Sequence, residues 1–174
     1  YMALVMCEGE INGISEIRVD DKVVTFASSL ADNTEVEVAS SDGNFFKNSA
    51  SLIRLEPHFG SDGQSASSLL GTLSSWGSNH KLSGLAYLAI RFTWNQDAFT
   101  GIPKVQAKVQ GKKIVTLNSS LAESSPTFSA NPAFCLLDYL RNERYGKGLA
   151  TSSLDLQSFY DASQVCETQV TPFS

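Results

Sequence analysis

The 174 residues are 42% hydrophobic and 18% charged, which argues against a disordered chain and supplies apolar material for one sizeable core or two small ones. The net charge is -5 and Lys and Arg are scattered singly or in pairs, so the clustered basic face of sequence-specific nucleic-acid binding is missing. No apolar run reaches the roughly 18 residues of a membrane span.

Tyr1 to Cys7 lacks the preceding basic region and the following small-residue cleavage site of a signal peptide, and reads as a strand ending at Glu8-Gly9. Asn12-Gly13 then predicts a tight reversal, since this dipeptide accepts positive φ readily. Ile14 to Val19 and Lys22 to Phe26 form the arms of a hairpin turned at Asp20-Asp21. Thr34 to Ala39 alternates Val36 and Val38 with Glu35 and Glu37, giving a half-exposed strand with one acidic face. Ser51 to Phe59 is a further strand, with Leu52 and Arg54 on one side and Ile53 and Leu55 on the other. Ser65 to Leu73 spaces Ala66, Leu69, Leu70 and Leu73 as in a short helix.

Leu85 to Trp94 predicts the central strand, with Leu88, Ile90, Phe92 and Trp94 on one face as core anchors. After the loop from Asn95 to Gly101, Val105, Ala107 and Val109 alternate with Lys and Gln in an amphipathic strand at an exposed edge or face, reversed at Gly111-Lys112-Lys113. Residues 118–130 are a Ser-rich linker or loop. Beyond it Asn131 and Pro132 are N-cap and first residue of a helix carrying Phe134, Leu137 and Leu140. Arg141 and Arg144 fall near its end and Gly146 and Gly148 stop it. A second helix starts near Ser152 or Ser153, with Asp155 in its first turn and Leu156, Phe159 and Tyr160 inward. The expected fold is α+β: a predominantly antiparallel sheet or barrel-like module over 1–117, the linker over 118–130, and a helical segment over 131–174. The opening tyrosine and the closing Thr171 to Ser174 suggest a piece of a longer polypeptide.

Few patterns carry chemistry. Cys7, Cys135 and Cys166 form no C-x-x-C pair and are expected as small buried hydrophobes with reduced thiols. His58 and His80 cannot make a three-His metal site, and Asp62, beside His58, is better explained as the side chain holding the Gly60 to Gln64 turn. His80 fits a bond to nearby backbone. Neither a G-x-S-x-G elbow nor a P-loop occurs, and Asp20-Asp21 suits a turn better than a carboxylate dyad. No catalytic, cofactor-binding or metal residue is therefore assigned. Trp76, between Ser75 and Gly77, is the aromatic best placed to stack on a sugar.

Four segments, in order, resemble the hub region of the J-like phage tail-tip attachment proteins and related baseplate hub proteins. They are Cys7 to Ile14, with Glu8, Gly9 and Gly13, leading to Val19-Asp20-Asp21; His58 to Gln64, with Gly60, Asp62 and Gln64; His80 through Gly84 and Tyr87 to Gly101, Pro103, Gly111 and Lys112; and Asn131-Pro132-Ala133 through Tyr145, Gly146 and Gly148. Glu10 stands where that family often has proline, and Leu117 to Ser120 where it often has an Asp-Pro-Arg-like sequence. The resemblance implies a structural, non-enzymatic part of a virion tail tip. Its copies form a ring, typically a homotrimer, through which DNA passes, and its partners are distal tail, tape-measure and tip or fibre proteins. The Glu35 and Glu37 face could line such a lumen, or be ordinary solvated strand surface. A carbohydrate- or receptor-binding module using Trp76 is the alternative.

Overall fold

The computed structural model describes residues 1–168; residues 169–174, the end of the segment expected to be helical, lie outside them. The strands are β1 (Met2–Glu8), β2 (Ile11–Val19), β3 (Lys22–Val23), β4 (Val36–Glu37), β5 (Phe46–Lys47), β6 (Ala50–Ser51), β7 (Ile53–Phe59), β8 (Leu85–Phe92) and β9 (Val105–Lys112). The helices are α1 (Pro132–Arg141) and α2 (Leu156–Glu167). The fold is α+β and mostly antiparallel sheet. It divides into two compact units, Tyr1–Lys112 and the residues from Lys113 on.

The first unit holds a four-stranded sheet in the order β1-β8-β7-β4, a three-stranded sheet in the order β3-β2-β9, and the small β5-β6 hairpin. Ile11, Ile14, Ile17 and Val19 of β2 pack with Ile53, Leu55, Leu88 and Ile90 of β7 and β8 in one core, sealed by Phe45 and Phe99 stacked at 5.8 Å. Residues of β8 alternate between this core and a second cluster of Tyr87, Ala89, Leu69 and Leu70. The strand is therefore covered on both faces, as its near-continuous apolar sequence requires. Asp20 and Asp21, at φ 48° and 63°, form the two-residue turn joining Val19 to its ladder partner Lys22. Two positive φ values suit the right-handed twist of the flanking strands.

Several expectations are corrected. Asn12 and Gly13 make no reversal: they lie inside β2, where Gly13 pairs with Gln110 and Asn12 Nδ2 donates to Gln110 Oε1 at 2.7 Å. The chain turns instead at Gly9, with φ 88°, and β1 pairs with β8. Gly111 and Lys112 likewise stay in β9, with Lys112 opposite Ile11. The helix expected over 65–73 shrinks to one 3-10 turn, Leu70–Thr72, because the amides of Ser68 and Leu69 go to the Glu56 carboxylate. The strands expected over 22–26 and 34–39 keep only two residues each, Lys22–Val23 and Val36–Glu37. Trp94 lies past the end of β8 and is 65% exposed, because the chain turns at Asn95 and Phe99 enters the core. Cys135 and Cys166 are exposed and Cys7 is half-buried, against the expectation of buried thiols.

In the second unit, residues 113–130 fold back on themselves through bridges between Ile114 and Thr127 and between Leu117 and Glu123, turned by the Asn118 side chain. Asn131 caps α1 by accepting from the Ala133 amide, and Pro132 occupies the first turn. The helix stops at Arg141 with Asn142 as its C-cap, short of Arg144. Asp155 caps α2 from outside the helix. Phe134 and Leu137 meet Leu156, Phe159 and Tyr160 in a core with Ile114 and Leu117.

Candidate functional site

Sequence-distant residues of the quoted motifs meet where β1, β7 and β8 begin or end. The Gly9 amide donates to the Gly84 carbonyl at 2.7 Å. Gly9, Gly60 and Gly84 have φ of 88°, 89° and 74°, in the left-handed region that disfavours side chains. At Gly60 a Cβ would sit 2.6 Å from the Gly9 carbonyl oxygen and 2.8 Å from the Ala86 nitrogen, so close backbone approach also demands glycine there. Gln64, 2% exposed, ties the junction together. Its Oε1 accepts from the Gly60 amide at 3.0 Å, and its Nε2 lies within donating distance of the carbonyls of Lys81, Leu82 and Leu85. Gln64 thus does the work expected of Asp62. Glu8 ends β1 opposite Leu85, and Tyr87 pairs with His58 two positions along β8.

The remaining motif positions lie elsewhere. Gly13, Gly111 and Lys112 belong to the β2-β9 ladder, and Gly101 and Pro103 flank Ile102, which is 90% exposed on the loop before β9. His80 Nδ1 accepts from the Gly77 amide at 2.9 Å within its own turn. In the second unit Asn142 accepts from the amides of Arg144 and Tyr145, the Tyr145 hydroxyl donates to Asp138 at 2.9 Å, and the Gly148 amide donates to the Asn142 carbonyl. A side chain at Gly146 would collide with the Tyr139 carbonyl. Asn131, Pro132, Tyr145, Gly146 and Gly148 therefore share one task, shaping the two ends of α1.

One polar cluster went unread in the sequence. Glu56, His58 and Ser67 are all buried, at 2%, 0% and 2% exposure. The Ser67 hydroxyl donates to Glu56 at 2.6 Å, and the amides of Leu69 and Ser68 donate at 2.8 and 3.2 Å. His58 stacks flat on Tyr87, centroids 4.2 Å apart, with Nε2 3.4 Å from Glu56 in ion-pair reach but without hydrogen-bond geometry. Burial alone would raise the Glu56 carboxyl, yet His58, Ser67 and the two amides outweigh it and hold the carboxyl at about 2. Burial, with the nearby Glu56 charge, pushes the Tyr87 hydroxyl up to about 12. The Ser67, Ser68 and Leu69 donors fasten the 65–73 segment onto β7. The available signal was the polar series Arg54, Glu56 and His58 alternating with apolar residues along β7.

The acidic face of Glu35 and Glu37 carries its own counterion: Arg54, opposite Glu37 in the ladder, lies 3.0 Å from Glu35 and 3.6 Å from Glu37. Trp76 is half-buried against His80 and Tyr87 at 5.2 and 6.5 Å, with its Nε1 covered, so the ring is used in packing. Among the described residues no three His, Cys, Asp or Glu side chains gather in a way that could hold a metal ion. Nor is any described helix long and apolar enough to cross a membrane.

No family model matches the chain. Over 92 residues it is 35% identical to the baseplate hub protein pb3 of Escherichia phage T5, a stretch covering 53% of this chain and 10% of that protein. The chain is thus related, over part of its length, to a phage baseplate hub protein.

Proposed function

We propose that this chain is part of the central hub of a phage tail tip, a structural element that joins the tail tube to tip or receptor-binding parts and contributes to a ring through which DNA passes. The observation that carries the reading is the 35% identity to a baseplate hub protein. The structure supports it physically: a glycine-locked, Gln64-bridged junction and a β8 strand covered on both faces favour a rigid frame over a mobile catalytic cleft. The ring is a homotrimer, closed by contacts between copies, with distal tail, tape-measure and tip or fibre proteins as neighbours in the virion. The 1–112 unit serves as the sheet module of that frame and the second unit, with the folded-back 113–130 stretch, α1 and α2, as its helical arm. Light scattering of the chain in its natural flanking sequence tests this. A mass of three protomers is expected; a strict monomer that binds glycans would overturn the reading.

A further inference from the structure

We infer that residues 65–80 form a lid that lifts off the sheet as one piece, latched by Glu56, while the strands and the glycine junction beneath stay folded. The property belongs to a single copy and holds with or without a ring. β7 and β8 are neighbours in an antiparallel ladder running from Ile53 opposite Phe92 to Phe59 opposite Ala86. A hairpin can close with about two residues, yet the chain takes the whole stretch from Gly60 to Gly84 to return. In that stretch its one regular element is the Leu70–Thr72 turn. Long connections of this kind inside compact domains are usually lids or binding loops.

The two ends of the stretch are clamped. Gln64 ties to the carbonyls of Lys81, Leu82 and Leu85, and the Gly84 amide donates to the Ser61 carbonyl at 3.4 Å. Between the clamps the backbone bonds turn inward: the amides of Gly71, Leu73, Trp76 and His80 donate to the carbonyls of Ser67, Leu70, Leu73 and Gly77. Among the described residues no backbone–backbone hydrogen bond of 65–80 reaches a strand. The polar hold on the strands comes from Glu56, which accepts from the Ser67 hydroxyl and the Ser68 and Leu69 amides. Thr72 also meets the exposed Tyr1, ahead of β1. The apolar hold is Leu69 and Leu70 on Tyr87 and Ala89, a cluster separate from the main core.

Closure also carries a penalty. Among the described residues five buried side-chain nitrogen and oxygen atoms have no hydrogen-bond partner, and four of them, His58 Nδ1 and Nε2, Tyr87 Oη and Trp76 Nε1, belong to the lid or to the sheet face it covers. The Tyr87 hydroxyl lies beside Ser67 without hydrogen-bond geometry. Buried polar atoms left unpaired favour exposure. Opening gives these four water as a partner and offsets part of the lost apolar contact. A segment with its own internal bonds, its own apolar cluster and such an underside is built to open sub-globally.

Two adjacent residues of β8 provide the test. Ala89 and Leu88 are both 0% exposed, but Ala89 faces the lid and Leu88 the main core. Each is changed to cysteine in the full chain with Cys7, Cys135 and Cys166 replaced by serine, and labelled with a thiol reagent in urea below the unfolding transition. Each rate is set against that variant's own unfolding equilibrium. Ala89→Cys is expected to label at least about tenfold faster than Leu88→Cys, at a rate nearly independent of urea, whereas Leu88→Cys accelerates with it. Adding Glu56→Gln to Ala89→Cys should speed labelling on the order of a hundredfold, and an unchanged rate would remove Glu56 as the latch. The unaltered chain supplies a second reading: in amide hydrogen exchange Ser68 and Leu69 should exchange well ahead of Leu88 and Ile90. Equal rates in both measurements, tracking global unfolding, would overturn the lid and leave the hub reading untouched.

Discussion

Glu56→Gln isolates the electrostatic content of the buried cluster. Glu56 is almost fully buried and accepts from the Ser67 hydroxyl and the Leu69 and Ser68 amides. A carboxyl moved from 4.5 to about 2 on folding contributes on the order of 3 kcal/mol at neutral pH. The folded value is the lower one, so the unfolded chain takes up the proton first as pH falls. The contribution is therefore complete above 4.5 and disappears progressively as pH drops to about 2. The glutamine variant cannot titrate there. Its stability deficit should be about 3 kcal/mol at pH 7 and should shrink toward zero near pH 2. Trp76 and Trp94 both lie within Tyr1–Lys112, so urea unfolding followed by tryptophan fluorescence reads this unit alone. Parallel pH profiles for the two proteins, with a constant gap or none, would refute the reasoning.

Gly60→Ala puts a Cβ against two backbone atoms at φ 89° and should destabilise by at least about 2 kcal/mol, whereas Gly63→Ala, with nothing within 4 Å, should change little in the same urea titration. Gln64→Glu should be less stable than Gln64→Ala at pH 7 by thermal melting, because the size-matched carboxylate would face three carbonyl oxygens that the amide now satisfies. Asn131→Ala removes the α1 cap and the bond from Nδ2 to the Ser163 carbonyl, and should lower helix stability by about 1–2 kcal/mol in circular-dichroism melts. For Tyr87 the folded value is the higher one, so the unfolded chain ionises first and stability should fall from pH 10 to about 12; Tyr87→Phe should flatten that limb of a pH-dependent denaturation series.

Local chemistry was legible wherever it decided the outcome. The Asp20-Asp21 turn and the Asn131-Pro132 helix start follow from backbone preferences that neighbouring residues supply themselves, and the apolar run of β8 places it inside its sheet. Errors arose where a distant partner overruled a local tendency. Asn12-Gly13 is a strong turn signal, yet β9 runs alongside it and keeps it extended. Leu69, Leu70 and Leu73 have helical spacing, but Glu56, more than ten positions earlier, takes the amides a helix would use. Trp94 continued the alternation of a strand that ends at Phe92, two residues before it. For the junction, the glycines and Gln64 were picked out as motif letters, but their meeting at one point depends on which strands pair, and periodicity does not encode pairing.

The same junction has a kinetic consequence. Gly9, Gly60 and Gly84 come from three separate stretches, and joining the first two closes a loop of about fifty residues, whose entropy must be overcome before any of the junction's bonds form. The junction is therefore expected to form late, after the β7-β8 and β2-β3 ladders have brought their own ends together. Damage there should leave the refolding limb of a chevron in place and raise the unfolding limb. The residues that lock the frame would then govern how long a folded copy lasts, not how quickly it forms.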